Sequence, residues 1–465
     1  MSKLSLLDLA FFIAESHASP KHVAGLLILK RPPRARSSFA RKLYEEYLTH
    51  TEVHAPFNRV IDFNVSSGMP RWREVEVDLN QHIFYHRLEK GVNGRDELYA
   101  FAARLHEPVL ERERPLWELH VIDNLWDGHF AIYQRIHHAY ADGMTMSRWT
   151  STSLSDSPDD PELRPIWSIR QHGTGKARLR KVQDEAVGAA LGKLKGWGFQ
   201  LFGVARLTAM LLLETVKLTK NAIALPFVAS PHTPLTGQVT AGRQFTAVGV
   251  RMERVKRIQA MTRSTLNHVA LTCLDGALHR YLQEQGAALN QPIVIQMPVN
   301  LRREGEKTQG NKIGIILVEL SPPTEDPYVR LRNIGFSLRN VRVMVDAVVP
   351  AAIETYTIVM GLFGQIAEML KLSDQAPPTG NTLVSNVPGP KEHRYIKGAK
   401  MVEMHPMSTL PPSNLLNITL FSYAGELYFG LIATDVLPNL KSLGQYVLDA
   451  FDELESAILH PPRSA

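Results

Sequence analysis

Two adjacent histidines, followed at short spacing by an aspartate and a glycine, form the pattern in this chain best suited to chemistry: His137, His138, Asp142 and Gly143. They come directly after an apolar run at 130–136 that predicts a strand. Adjacent strand residues point to opposite faces, so one imidazole can line a cavity while the other packs inward, which argues against a two-histidine metal chelate. Because Asp-Gly pairs favour turns, we expect the Asp142 carboxylate to hold the loop by a hydrogen bond or an ion pair.

A neutral imidazole beside a cavity is a suitable general base for an alcohol that attacks an activated acyl group. If the acyl donor is a thioester, its thiolate leaves readily, so neither a strong general acid nor a metal is required. The sequence contains no Gly-x-Ser-x-Gly elbow, and Cys273 lies in an apolar helical pattern typical of a core residue. These residues favour direct acyl transfer inside a ternary complex. The alternative is that the histidine pair is structural, as most histidines are.

Composition narrows the functional classes. The 465 residues are 44% apolar and 21% charged, which is ordinary for a globular protein. The 52 basic and 46 acidic side chains give a net charge of +6, too small to indicate a nucleic-acid binder. A single cysteine excludes a disulfide framework, a cysteine-based zinc site and an iron–sulfur cluster, and it fits a reducing compartment. Neither a P-loop nor a dinucleotide-binding glycine spacing occurs.

Two polar, proline-containing stretches, at 151–165 and 229–242, suggest three parts of the chain. We predict an N-terminal lobe over 1–154 that carries the histidine pattern, a basic helical segment over 155–242, and a C-terminal lobe over 243–465. The patterns predict strands at 23–30, 130–137, 245–251, 293–300 and 312–320, helices at 95–106, 264–284, 327–372 and 440–459, and a hairpin over 417–434 that turns at 424–425. The predicted fold class is therefore α/β (α+β), with two lobes of similar size.

The segment 170–220 is strongly basic. It holds ten Lys or Arg and three acidic residues, a local charge of +7, beside Trp197, Phe199 and Phe202. One interpretation is a helix that lies in an anionic membrane interface. The other is a solvated, basic inter-domain helix pair that packs its apolar side on the core. No window reaches the roughly 20 uncharged apolar residues that a spanning helix needs.

The N-terminus predicts a helix rather than a signal peptide. Ser5 and Asp8 stand at capping-box spacing before Phe11 and Phe12, and no Ala-x-Ala cleavage site follows the apolar residues. We therefore expect these two phenylalanines to belong to the first helix of the folded protein.

The His-His-x-x-x-Asp-Gly pattern resembles the motif of the CoA-dependent acyltransferase superfamily, which includes chloramphenicol acetyltransferase and the condensation domains of peptide synthetases. Nearly the whole chain is similar to one branch, the bacterial wax ester synthase/acyl-CoA:diacylglycerol acyltransferase family. The strings that carry the similarity are Leu4-Ser-Leu-Leu-Asp8, His22-Val-Ala-Gly25, Arg114-Pro-Leu-Trp-Glu118, Pro298-Val-Asn-Leu-Arg302, Gly310-Asn-Lys-Ile-Gly314, Val384-Ser-Asn-Val-Pro-Gly-Pro390, Asn417-Ile-Thr and the terminal helix 449–459. Each string is weak alone, and their order and spacing together are specific.

The resemblance implies that His138 is the proton acceptor, that His137 is its structurally important neighbour, and that Asp142 and Gly143 shape the loop. It also implies two further groups in supporting roles.

The first group is Pro115, Leu116 and Trp117, a packing or substrate-binding element near the active strand, for which a buried tryptophan is an equally good explanation. The second consists of amides. The family shows Asn-Asp where this chain has Asn267-His268, so Asn267 keeps its position and could orient the acyl carbonyl, whereas the lost carboxylate puts the pair in question. Asn386 is another amide candidate, with a turn role as the alternative.

The resemblance further implies two chloramphenicol-acetyltransferase-like lobes with the active site in a channel between them. It implies transfer of a fatty acyl group from acyl-CoA to a long-chain alcohol or diacylglycerol, giving wax ester or triacylglycerol. No cofactor or metal is implied, because acyl-CoA is a substrate, and no nucleic acid is an expected partner. We expect a cytoplasmic enzyme, peripherally associated with the inner membrane or with lipid inclusions.

Three alternatives remain open. One is a superfamily acyltransferase with another acceptor, such as a diol or a carrier-bound amine. Another is an esterase in which His138 activates water. The third is a catalytically silent lipid-binding protein, although the intact histidine pattern argues against it.

Overall fold

The computed structural model describes residues 6–62, 70–170, 230–287, 289–300, 313–347 and 350–459. The chain divides into two compact units. Of the described residues, the first unit holds those in 6–170 and 392–404, and the second holds those in 230–300, 313–391 and 405–459. Each unit contains its own sheet, which confirms the prediction of a mixed α/β chain with two sheet-containing lobes. The domain boundaries at 154 and 242 stay a prediction.

Within the described residues, the N-terminal part of the chain supplies four α-helices and six strands. They are α1 (Leu6–Ala14), β1 (His22–Lys30), α2 (Phe39–Thr49), β2 (Arg59–Asp62), β3 (Arg71–Glu74), β4 (Ile83–Arg87), α3 (Arg95–His106), β5 (Trp117–Asp123), β6 (His129–His137) and α4 (Gly143–Ser153). The predicted helix at 95–106 and the predicted strands at 23–30 and 130–137 are confirmed.

The later described elements follow in the same numbering. They are β7 (Arg243–Arg251), α5 (Met252–Thr262), α6 (Leu266–Glu284), β8 (Val294–Asn300), β9 (Ile313–Glu319), α7 (Pro327–Ala347), α8 (Pro350–Met369), β10 (Thr382–Pro388), β11 (Tyr395–Ile396), β12 (Ala399–Met407), β13 (Leu416–Tyr423), β14 (Glu426–Thr434) and α9 (Leu440–Leu459). The predicted helical stretch over 327–372 is found as two described helices, since α7 ends at Ala347 and α8 runs from Pro350 to Met369. Proline lacks the N–H that a helix interior requires, whereas it is tolerated in the first turn.

The first unit's sheet has the strand order β11-β12-β1-β6-β5-β4. Strand β6 runs antiparallel to both β1 and β5 and lies near the centre. Its side chains are buried from Phe130 to His137, as expected for a central strand covered on both faces. In register, His137 lies opposite His22 and His129 opposite Lys30, so β6 ends where β1 begins. The histidine pair is thereby held at the C-terminal end of a strand that is paired on both sides.

The second unit's sheet has the order β7-β14-β13-β10-β8-β9. Helices α6, α7 and α9 contribute many of the buried apolar side chains of its core. The predicted hairpin is confirmed: β13 pairs with β14 along its full length, and the two strands are joined at Ala424 and Gly425, which have φ values of 46° and 88°. A tight hairpin turn needs such left-handed conformations, and glycine adopts them at little cost. Among the helices of the described residues, none is long and apolar enough to cross a membrane.

Candidate active site

The backbone on either side of the histidine pair is held by two hydrogen bonds. The His137 N–H donates to the Leu116 carbonyl at 2.9 Å, and the His138 N–H donates to the Lys21 carbonyl at 2.8 Å. Because the acceptors lie beside β5 and β1 respectively, the pair is anchored to both neighbours of β6. His137 is completely buried, whereas His138 is half-buried.

Both imidazole rings stack on helix α1. The rings of Phe12 and His137 have centroids 4.4 Å apart and an interplanar angle of 17°. The rings of Phe11 and His138 are 4.2 Å apart and inclined by 18°. Strand β6 ends at His137, so strand alternation does not extend to His138. Both rings therefore contact one helix through different phenylalanines, and the expectation that they face opposite sides stays a prediction.

Hydrogen bonding assigns the tautomer of His137. The Ala139 N–H donates to His137 Nδ1 at 3.1 Å, so this nitrogen is an acceptor and the ring proton lies on Nε2. Nε2 lies 3.4 Å from Glu15 Oε1. His137 therefore links the loop that follows β6 to a buried carboxylate.

Glu15 is a buried acid that the sequence reasoning missed. Its Oε2 accepts from Arg112 Nη2 at 3.1 Å, and its Oε1 accepts from the Lys21 N–H at 3.3 Å. Burial alone would raise the pKa of the carboxyl, but His137 and Arg112 outweigh burial and lower it. Arg112 also donates to the Phe12 carbonyl at 3.0 Å. The available signal was an acid placed directly after the apolar residues of the first helix.

The imidazole of His138 is held in its neutral form. Burial lowers the pKa of His138 to about 4, with the charge of Asp142 acting in the opposite direction. At neutral pH the ring therefore carries a lone pair that can accept a proton.

Asp142 begins helix α4. Its Oδ1 accepts the Thr145 N–H at 2.7 Å, and its carbonyl accepts the Met146 N–H at 2.9 Å. The side chain is completely buried at the helix N-terminus, where a carboxylate satisfies an otherwise unpaired donor and is favoured by the helix dipole. Gly143 is the first residue of that helix. The structure thus places both residues at the point where the loop ends.

Further buried polar side chains lie near His137 on β1, β6 and α3. His22, its cross-strand partner, donates from Nε2 to the His106 carbonyl at 3.0 Å. His106 Nδ1 lies 2.7 Å from the hydroxyl of Tyr133 on β6. Burial, together with the neighbouring His106, holds the pKa of His22 well below its ordinary value. Across the described residues, no group of three or more His, Cys, Asp or Glu is arranged to hold a metal ion.

Pro115, Leu116 and Trp117 lead into β5 beside the histidine pair. Leu116 supplies the carbonyl that His137 contacts, and Trp117 is fully buried. The Trp117 indole N–H donates to the Phe57 carbonyl at 2.8 Å, and its ring stacks on Trp167 with centroids 5.1 Å apart. These contacts make the string a packing element; its substrate-binding role stays a prediction.

The carboxylate that follows this string, Glu118, is also buried. Its Oε2 accepts from Arg135 Nη2 at 2.7 Å and from His120 Nε2 at 3.1 Å. Burial would raise the pKa of this carboxyl, but the His120 and Arg135 contacts lower it to about 2. Glu118 is therefore a charged brace between β5 and β6, next to the strand ends that hold the histidines.

In the second unit, the structure brings together two amides that were predicted separately. Asn386 Nδ2 on β10 donates to Asn267 Oδ1 in the first turn of α6 at 2.7 Å, and both side chains are exposed. The next residue, His268, donates from Nε2 to the Leu331 carbonyl on α7 at 2.5 Å. His268, which stands where the resemblance implies an aspartate, is thus tied to a neighbouring helix.

The fold gives the class of protein first. The chain superposes on the first condensation domain of the calcium-dependent antibiotic synthetase with a TM-score of 0.59, at 15% identity, covering 98% of this chain and 97% of that one. Similarity at this level of identity shows the fold: a two-sheet fold shared with condensation domains.

The family follows from closer matches. The wax ester synthase/diacylglycerol acyltransferase catalytic domain matches residues 4–270, and the C-terminal domain of the same proteins matches residues 309–455. The chain belongs to the wax ester synthase/diacylglycerol acyltransferase family, which confirms the resemblance seen in the sequence.

Individual relatives agree along the full length. A Mycobacterium tuberculosis protein named as a diacylglycerol O-acyltransferase is 32% identical over 460 residues, covering 98% of this chain and 100% of the relative. One from Mycobacterium bovis is 31% identical over 457 residues, covering 97% and 98%. The wax ester synthase/diacylglycerol acyltransferase from Marinobacter aquaeolei VT8 superposes with a TM-score of 0.79 at 28% identity, covering 99% of this chain and 100% of that one.

Proposed function

We propose that this chain transfers a fatty acyl group from acyl-CoA to the hydroxyl of a long-chain alcohol or of diacylglycerol, giving a wax ester or triacylglycerol. Membership of the family makes it an O-acyltransferase. The relatives named as diacylglycerol O-acyltransferases support the second acceptor, and the name of the Marinobacter protein supports both.

The observation that carries the catalytic assignment is the environment of His138. Its backbone is anchored, its ring is stacked on Phe11, and burial keeps it neutral. A base that is both positioned and unprotonated at neutral pH is what the attack of a hydroxyl on a thioester requires.

In the proposed reaction, His138 accepts the hydroxyl proton while the alcohol oxygen forms a bond to the thioester carbonyl carbon. The tetrahedral intermediate then collapses, the C–S bond breaks, and the proton passes from His138 to the departing CoA thiolate. The products are an ester and free CoA, and no oxidant or reductant is consumed. The reaction needs no residue to carry the acyl group.

The other predicted residues take supporting roles in this proposal. His137 braces the loop through Glu15, and Asp142 and Gly143 set where the loop ends. Because the Asn267 oxygen already accepts from Asn386, its amide N–H groups are the part that can be offered to a substrate oxygen. We assign Asn267 to the acyl carbonyl and Asn386 to the positioning of Asn267, since an oriented donor stabilises a developing oxyanion.

We also propose cytoplasmic action at a membrane or lipid inclusion, with acyl-CoA, an insoluble alcohol and no nucleic acid as partners. The basic segment 170–220 with Trp197, Phe199 and Phe202 supports this proposal from the sequence and lies outside the described residues apart from Arg170. Its two interpretations, a membrane-interface helix and a basic inter-domain helix pair, both remain.

The deciding experiment measures CoA release from palmitoyl-CoA with a panel of alcohols, with diacylglycerol and with no acceptor, and identifies the products by mass spectrometry. We expect ester formation that depends on an added long-chain alcohol or diacylglycerol. Release of free fatty acid without acceptor would instead make the chain an esterase. Reaction only with diols or amines would change the acceptor, and absence of CoA release would indicate a silent lipid-binding protein.

A further inference from the structure

Helix α7 has a well-defined inner face. Leu331 and Ile334 are buried in the core of the second unit, and Leu338, Val341 and Val345 pack against that core. These positions recur every three or four residues, which is the period of one helix face. The inner face is therefore fully occupied by packing within the unit.

The outer face of the same helix carries three exposed, large apolar side chains. Tyr328 is 54% exposed, Phe336 53% and Val343 66%. With the exposed Arg332 and Arg339 between them, they form a series whose successive members are four, four, three and four positions apart. This spacing places the five side chains in one stripe along the helix. Single exposed apolar residues are common, whereas a regular series on one helix indicates a contact surface.

The stripe is also positively charged. The Arg339 guanidinium lies 5.7 Å from the centre of the Phe336 ring, and Arg342 is exposed beside Val343. Arg342 Nε lies 3.8 Å from Asp346, which is the one acid within α7 and partly offsets the three exposed guanidinium groups of that helix. From Tyr328 to Val343 the helix extends for about 22 Å at 1.5 Å per residue.

We propose that the outer face of α7 is a docking surface for an anionic lipid interface. Guanidinium groups bind phosphate oxygens, while the tyrosine, phenylalanine and valine side chains enter the boundary between headgroups and acyl chains. The benefit of docking at such an interface rests on the proposed function, because long-chain alcohols and diacylglycerol are found there rather than in water.

The positive charge of the stripe favours an anionic lipid interface over a second copy of the chain as its partner. A symmetric dimer through this stripe would bring the same arginine-rich patch of both copies together, which repels. An anionic surface instead offers each arginine an opposite charge, and each basic residue near such a surface contributes on the order of 1 kcal/mol.

The test is co-sedimentation of the full chain, without substrate, with vesicles of phosphatidylcholine alone or with about a third of phosphatidylglycerol. One variant removes apolar contacts (Phe336→Ser with Val343→Ser) and another removes charge (Arg332→Gln with Arg339→Gln). Matched controls are Val436→Ser, at a valine 54% exposed outside α7, and Arg34→Gln, at an exposed arginine of the first unit.

We expect wild type and both controls to bind the anionic vesicles, and each double variant to bind them at least about tenfold more weakly. Binding should also weaken with added salt, since screening acts on exposed charges. Thermal melting and turnover of a soluble short-chain alcohol should match wild type in every variant. Because binding is measured without substrate, a chain that binds vesicles but releases no CoA would contradict the proposed function and leave the docking surface supported.

Three outcomes would overturn the proposal. One is unchanged vesicle binding by both double variants. Another is loss of binding only when Lys193, Lys195 and Arg206 in the basic segment are changed to Glu, with the α7 variants binding as wild type. The third is a wild-type dimer in light scattering that the α7 variants lose, which would make the stripe an interface between copies.

Discussion

Phe11 lies flat against the imidazole of His138, with ring centroids 4.2 Å apart and planes 18° from parallel. The contact covers one face of the proposed base with an apolar ring, and the adjacent Phe12 does the same for His137. Stacked aromatic pairs stabilise by about 0.5–1.5 kcal/mol beyond area burial. Helix α1 therefore both holds the pair in place and helps to keep water away from His138.

Replacing His138 with alanine tests the base directly. We expect CoA release to fall by about 100- to 10,000-fold, because a positioned general base contributes that much to the rate. The ring is only half-buried, so the melting temperature should change little. CoA release and thermal melting together provide the measurement. A variant that keeps more than about a tenth of wild-type turnover would show that His138 is not the base.

Replacing His137 with alanine should act on stability instead. The change leaves a cavity against Phe12 and removes one of the partners of Glu15, and such losses typically cost about 1–3 kcal/mol. Asp142→Asn should resemble it, because the buried carboxylate charge that interacts favourably with the dipole of α4 is lost. Denaturant unfolding measures both. Unfolding free energies equal to wild type, with turnover abolished, would assign these residues to the chemistry rather than to the loop.

Glu15 makes the stability of the first unit depend on pH. Its folded pKa is lower than the ordinary 4.5, so its contribution is present above 4.5 and is lost as pH falls through the lower folded value. We expect Glu15→Gln to reduce the free energy of unfolding by about 1–3 kcal/mol at neutral pH and to flatten its decline in acid.

The control is Glu45→Gln, at an exposed acid on α2 paired with Arg41. That change should stay within about 0.5 kcal/mol of wild type at neutral pH, because exposed ion pairs contribute little. Urea unfolding from neutral pH to about pH 3 gives both curves. Parallel curves for Glu15→Gln and wild type would contradict the linkage.

Local sequence patterns predicted much of this fold and part of the site. The strand before His137, the helix Arg95–His106 and the turn at Ala424 and Gly425 are each set by residues close in sequence, so periodicity and turn chemistry suffice. The start of α8 at Pro350 had a local signal, the proline itself, because proline is tolerated in the first turn of a helix.

Such local patterns do not predict contacts between segments that are distant in sequence. The stacking of α1 on the histidines joins segments more than a hundred residues apart, and no periodicity specifies which ring meets which. No local pattern specifies the contact of Arg112 with Glu15 or the hydrogen bond from Asn386 to Asn267 either. Strands β11 and β12 are a further case, because a segment late in the chain completes the sheet of the first unit.

The two asparagines should behave as one functional element. We expect Asn267→Ala to lower kcat by about 100- to 1,000-fold, as loss of an oxyanion donor does. Asn386→Ala should cost less, because it only disorders the amide of Asn267, and the double variant should match Asn267→Ala. Steady-state kinetics with unchanged melting is the measurement. Additive losses in the double variant would show that the two amides act independently.

The acid limb of the pH–rate profile reports the contact between Phe11 and His138. Burial lowers the pKa of His138 to about 4, and the base is lost as pH falls through that value, so wild-type kcat/KM should stay level from about pH 8 down to about pH 5. Phe11→Ala admits water to the His138 ring and should therefore raise the pKa of His138 toward its ordinary 6.5. The variant should then lose activity below about pH 6 and keep most of it at pH 8. Phe39→Ala, at a phenylalanine of α2 that packs near Phe130, serves as the control for loss of an aromatic ring. An acid limb that coincides in Phe11→Ala and wild type would mean that the stacked ring does not set the protonation of His138.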